Sequence, residues 1–139
     1  MKPEEVEVVL VEDNPDDAYF TKRAFREANE NIHIIHLTNG EAAINFFFNE
    51  EKFDNEKFSQ KSHLILLDLH LPMVDGLEIL RRLKADKDAR RIPVVILSSA
   101  DDDPTMKAGL ELGAANYILK PVTYEGFLRV VTELSSDWQ

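Results

Sequence analysis

The stretch "LILLDLHLPMVDG", Leu64 to Gly76, decides how the rest of the chain is read. An apolar run meets one carboxylate, Asp68, and a Pro and a Gly follow within eight positions. Apolar residues on both faces describe a strand covered on two sides, the pattern of a parallel sheet. Such a strand has little use for an ionised group, whose desolvation costs several kcal/mol unless something compensates. A turn explains Pro72 and Gly76 but leaves Asp68 unexplained.

Working outward, the same alternation recurs. "VEVVLVE" (6–12), "IHIIHL" (32–37), "HLILLDL" (63–69), "IPVVILSS" (92–99) and "ANYILK" (115–120) read as strands, and each precedes a segment with helical spacing. In "DNPDDAYFTKRAFREANE", Asn14 is a cap, Pro15 suits the first helical position, and Asp16 and Asp17 favour the positive end of the helix dipole. Phe20, Ala24, Phe25 and Ala28 form the expected inward stripe. "GEAAINFFF" (40–48) is the second helix, and "GLEILRRLKAD" the third, burying Leu77, Leu80 and Leu83. Asp103 before Pro104 starts the fourth helix and Gly113 stops it. "TYEGFLRVVTELSSDW" is the last helix, while "NEEKFDNEKFSQKS" reads as an extended loop with room for a helical turn. Strand then helix, five times, predicts an α/β chain: a doubly wound parallel sheet with helices on both faces and right-handed crossovers.

The 139 residues suit a single domain, which buries roughly two thirds of its unfolded-chain surface. The formal charge of −10, from 26 acidic against 16 basic residues, disfavours nucleic acid and anionic membranes as partners. No cysteine is present, so disulfide scaffolds, thiolate metal sites and thiol nucleophiles are excluded. The acidic N-terminus has too short an apolar run for a signal peptide or membrane span, and a cytoplasmic location is expected.

In open parallel sheets, function sits beyond the carboxyl ends of the strands. There the first strand delivers Glu12-Asp13, the third Asp68, the fourth Ser98-Ser99 and the fifth Lys120-Pro121. Alone, an acid pair is as readily a helix cap, a serine a turn hydroxyl and Lys-Pro a common dipeptide. Their arrival in register is what chance does not explain. Few carboxylates plus water form the all-oxygen set that Mg²⁺ prefers. A metal and an ammonium flanking Asp68 let it keep its charge and act as a nucleophile toward a phosphoryl group.

With "VLVEDNPDD", "LILLDLHLPMVDGLEILRRLK", "IPVVILSSADD" and "LGAANYILKPV" in place, the chain resembles the receiver domain of two-component response regulators from about Val6 to about Leu134. The resemblance implies a single flavodoxin-like (βα)5 domain with strand order 2-1-3-4-5 and no output domain. It implies that Asp68 is the phosphoacceptor and that Asp13 and Asp68 bind Mg²⁺, with Glu12 acting through water and the His70 backbone carbonyl completing the set. Ser98 falls at the switch hydroxyl, Tyr117 at the switch aromatic and Lys120 at the phosphate-binding lysine, with Lys120-Pro121 a cis peptide. The side chain of His70 is expected to be an exposed loop group. His33, His36 and His63 are read as structural, and "ADDDP" as a helix cap. The implied function is signalling rather than enzymatic turnover, confined to self-catalysed phosphotransfer and autodephosphorylation. Phosphate would come from a sensor histidine kinase or phosphotransfer protein, and output would pass by binding a downstream protein.

"RRLKADKDARRIPVVILSSADD", "YILKPVTYEGFLRVV" and "SSDW" further resemble single-domain phytochrome-associated regulators. That subgroup implies a homodimer through the last helix and fifth strand, with Phe127, Val131 and Trp138 as interface candidates. The alternative is a phosphorylation-independent binding module on the same fold. An aspartyl phosphatase reading lacks the second acid two residues after Asp68, where His70 stands. "EDNPDD" is the electrostatic opposite of an FMN phosphate loop, and neither G-x-G-x-x-G nor a P-loop is present.

Overall fold

Along β1 (Val6–Val11), Val8 and Leu10 join one buried cluster while Val9 and Val11 join another. That is the period of two of a strand covered on both faces, and it accounts for the unbroken apolar sequence. The computed structural model describes residues 6–28, 31–48 and 62–133. Its other strands are β2 (Ile32–Leu37), β3 (Ser62–Asp68), β4 (Val94–Ser98) and β5 (Asn116–Leu119). All pair in parallel, in the order β2-β1-β3-β4-β5. The order reverses at β1 and β3, which opens a crevice at their carboxyl ends.

Among the described residues, five helices cover the sheet: α1 (Pro15–Ala28), α2 (Gly40–Phe48), α3 (Gly76–Ala85), α4 (Pro104–Leu112) and α5 (Tyr124–Glu133), with a 3₁₀ turn at Ala89–Arg91. Residues of α1 and α5 fill one cluster with Val8, Leu10, Leu64, Leu66, Val95 and Leu97. Residues of α2, α3 and α4 fill the other with Val9, Val11, Ile65, Leu67, Val94 and Ile96. No helix among the described residues is long and apolar enough to cross a membrane.

The caps are as the sequence specifies. Asn14 Oδ1 accepts from the backbone N–H of Asp16 and Asp17, at 2.9 and 3.0 Å. Asp103 Oδ1 accepts from Thr105 N at 2.8 Å, and Gly113 ends α4 at a φ of 119° that favours glycine.

Three expectations on inward faces change. The buried residues of α1 are Ala18, Thr21, Ala24 and Phe25, whereas Phe20 is exposed and meets Tyr19 edge-on. In α3, Ile79 is buried and Leu77 is only half-buried. Phe127 is not available to a partner: it is buried and packs edge-on against Phe25, with ring centroids 4.4 Å apart. Such a pair contributes about 0.5–1.5 kcal/mol beyond its buried area. Val131 belongs to α5, but its side chain, like Trp138 and residues 49–61 of the loop expected at 49–62, lies outside the described residues, and Ser62 begins β3.

The turn between β3 and α3 is packed tightly enough to require glycine. A Cβ on Gly76 would stand 2.5 Å from the Leu69 Cα, a clash with backbone. Within that turn, Met73 takes a φ of 69° and is fully exposed.

Candidate functional site

Glu12 and Asp13 leave β1 at the crevice between β1 and β3. The backbone N–H of Glu12 donates to Leu37 O at 3.1 Å, and Nε2 of His36 lies 2.9 Å from Glu12 O, so β2 holds this corner from the far side. Oxygens of Glu12, Asp13 and Asp68 lie within 4.8 Å of one another. Glu12 and Asp68 are buried and Asp13 is exposed. Asp68 Oδ1 accepts from the backbone N–H of His70 at 2.9 Å, which ties the β3–α3 turn to the carboxylate.

Lys120 enters from the end of β5. Its N–H donates to Ser98 O at 2.7 Å, and the Lys120–Pro121 peptide is cis. The ammonium Nζ stands 2.9 Å from Asp68 Oδ2, 2.8 Å from Glu12 Oε1 and 3.1 Å from Asp17 Oδ2. Burial opposes the charge on Lys120, but the hydrogen bonds and charges of Glu12 and Asp68 outweigh it and hold its pKa above the ordinary lysine value. Burial pushes Glu12 up to about 7, against the lowering contacts of Lys120 and the Asn14 N–H. Its Oε1 is fully buried and has Lys120 as an ion-pair partner without a well-formed hydrogen bond.

Three carboxylates, those of Glu12, Asp17 and Asp68, therefore crowd one ammonium, and Asp13 adds a fourth acid beside Glu12 and Asp68. The set is all oxygen, rich in negative charge and open on the Asp13 side, which suits a hard divalent cation that keeps several of its waters.

Ser98 is buried, and its hydroxyl donates to Ala100 O at 2.7 Å. Tyr117 is half-buried against the α2–α4 face of the core. Arg129 lies 5.4 Å from the centre of its ring and donates to Tyr117 O at 2.9 Å.

Three contacts escaped the reading of the sequence. The side chain of His70 is largely exposed as expected, yet its Nε2 reaches Asp103 Oδ2 at 2.6 Å, bridging two loops that rim the crevice. Burial raises the Asp103 pKa, but hydrogen bonds from His70 and Thr105 leave it below the ordinary value. His36 braces Glu12, a role that no motif announces. The sequence marks Asp17 only as a helix-dipole residue, whereas its carboxylate touches Lys120. The signal was available: helical side chains lean toward the N-terminus, and Asp17 follows Asp13 by one turn.

A family model described as the response regulator receiver domain matches residues 8–132. The chain belongs to the response regulator receiver family. This receiver is 31% identical to response regulator Rcp1 of Synechocystis sp. over 94% of its own length and 87% of that protein. A structure of Rcp1, described as its Mn²⁺-bound form, superposes with a TM-score of 0.71 at 32% identity, covering 90% of this chain and 88% of that one. The bacteriophytochrome response regulator RtBRR gives a TM-score of 0.79 at 30% identity, covering 94% and 78% of the two chains. The phosphorylated cyanobacterial phytochrome response regulator RcpA gives 0.74 at 28%, covering 96% and 94%.

Proposed function

We propose that this receiver takes a phosphoryl group onto Asp68 from a phosphohistidine of a sensor histidine kinase or phosphotransfer protein, and transmits that state by binding another protein. The observation that carries the reading is Lys120 Nζ at 2.9 Å from Asp68 Oδ2, inside a cluster of carboxylates within 4.8 Å of one another.

In the transfer, an Asp68 oxygen attacks phosphorus. The new O–P bond forms as the P–N bond to the donor histidine breaks, and its electron pair stays on an imidazole already protonated at its other nitrogen. Lys120 balances charge on the transferring oxygens, which is most of what this reaction asks of a protein. The N–H of His70 fixes the orientation of the Asp68 carboxylate through its Oδ1. Asp13 and Asp68, with Glu12 through water and the His70 carbonyl, would hold Mg²⁺. When bound, that ion supplies neutralisation of charge on the phosphoryl oxygens.

The acyl phosphate adds charge and acceptor oxygens at one point. Ser98 can donate to it only by giving up Ala100 O, and that exchange is the local event that biases the β4–α4 loop and Tyr117. The domain acts once per phosphoryl group and relays a state instead of turning over a substrate.

The phytochrome regulators among its relatives support a phytochrome-type kinase as donor. The test is transfer from purified autophosphorylated kinases in the presence of Mg²⁺. Faster loss of label from a phytochrome-type kinase than from an unrelated one agrees with the assignment. Equal rates remove the pathway, and no transfer from either kinase, with none from acetyl phosphate, removes the receiver reading.

A further inference from the structure

We infer that Asp17 is a positioning residue for Lys120, a carboxylate that restrains phosphorylation until the ammonium releases it. This rests on the phosphoacceptor reading and deepens it.

An ammonium has three donors and no acceptor. In this chain the ammonium donates to Asp68 Oδ2 and Asp17 Oδ2 at 2.9 and 3.1 Å, and its remaining side is held by the ion pair to Glu12 Oε1 at 2.8 Å. A phosphoryl group on Asp68 brings three new acceptor oxygens, so Lys120 can serve one of them only by leaving a present partner. Burial says which partner yields. The Glu12 side chain is 0% exposed and, among the described residues, Lys120 is the one ion-pair partner of its Oε1, so losing the ammonium leaves that oxygen buried without a partner. Asp68 is the reacting group itself. The Asp17 side chain is 29% exposed, makes the longest of the three contacts and has water to replace it.

Asp17 is also fixed in place. It lies in the first turn of α1, where Asn14 Oδ1 accepts from its N–H at 3.0 Å and Thr21 Oγ1 donates to its carbonyl at 2.8 Å. Its carboxylate therefore holds one donor of Lys120 and adds a negative charge on the path of an anionic phosphodonor. Asp17 stands apart from the three-carboxylate cluster of Glu12, Asp13 and Asp68, so its effect runs through the ammonium and not through cation binding.

The test measures initial labelling by acetyl phosphate at saturating Mg²⁺ for wild type, Asp17→Asn, Asp17→Ser and Asp17→Glu, with Mg²⁺ affinity by calorimetry alongside. The neutral variants should label about three- to tenfold faster at sub-saturating donor, as expected for one partly screened charge a few ångströms away, and added KCl should shrink the gain. Asp17→Glu, which keeps the charge, should stay within about twofold of wild type. Mg²⁺ affinity should move by less than about threefold in Asp17→Asn, whereas Asp13→Asn loses binding. Unchanged or slower labelling in both neutral variants, or an equal gain in Asp17→Glu, overturns the role of Asp17 and leaves the receiver reading standing. A wild type that takes no label overturns both.

Discussion

Lys120 Nζ and Asp68 Oδ2 stand 2.9 Å apart although the two residues are 52 positions apart in sequence, and both side chains are largely shielded from water. The sheet makes this contact: β3 and β4 pair Asp68 with Leu97, and β4 and β5 pair Ser98 with Leu119, so neighbouring strands end together.

Removing the ammonium should therefore cost folding stability as well as chemistry. Lys120→Met leaves Glu12 and Asp68 buried without a cation, and loss of one partner of such a pair costs about 3–5 kcal/mol. Urea unfolding at neutral pH without metal should show it, and Mg²⁺ should restore more stability to the variant than to wild type. A variant as stable as wild type without metal would mean that the three contacts are not a network.

Gly76→Ala tests how the turn carrying His70 is held. The added methyl meets the Leu69 backbone at 2.5 Å, where no flexible side chain can give way. Overpacking of this kind costs about 1–3 kcal/mol, and displacement of the turn should weaken Mg²⁺ binding in calorimetry. A full loss of stability with unaltered cation affinity would separate the turn from the site.

Phe127→Ala should destabilise the fold by about 3–5 kcal/mol, the range for emptying a buried aromatic position. Its association state in sedimentation should match that of wild type, because the ring faces Phe25 and not a partner.

The His70–Asp103 bridge has an acid limb. The Asp103 pKa is lower in the fold than in the unfolded chain, so its contribution is complete above the unfolded value. It is lost as pH falls through the lower, folded one. Asp103→Asn keeps the helix cap but cannot titrate. The stability gap between wild type and this variant should be complete at about pH 6 and smaller at about pH 3, below the ordinary aspartate value. Chemical unfolding at both pH values measures it.

Much of this was legible in the sequence, for identifiable physical reasons. Unbroken apolar strands and Asn14, Asp103 and Gly113 at helix ends are local signals, and they specify the element order without tertiary information. The strand-end residues Glu12, Asp13, Asp68 and Lys120 are readable because a parallel sheet gathers its carboxyl ends on one edge. The inward face of α1 was misjudged at Phe20, since an apolar side chain one position off the buried stripe looks the same in sequence. Phe127 was ambiguous for a related reason: core stripe and interface stripe share the helical period, and only packing against Phe25 separates them. His36 and the His70–Asp103 bridge depend on contacts between distant segments, which no spacing encodes.

The central claim is that the Asp68 carboxylate is the group that receives phosphate. Its most direct test is to treat the protein with acetyl phosphate and Mg²⁺, reduce with borohydride, and map the peptide containing residue 68. An acyl phosphate on Asp68 is reduced to homoserine at that position, and the product should vanish when Mg²⁺ is chelated or Asp68 is replaced by Asn. Label at another residue, or equal labelling with the metal removed, would contradict the account.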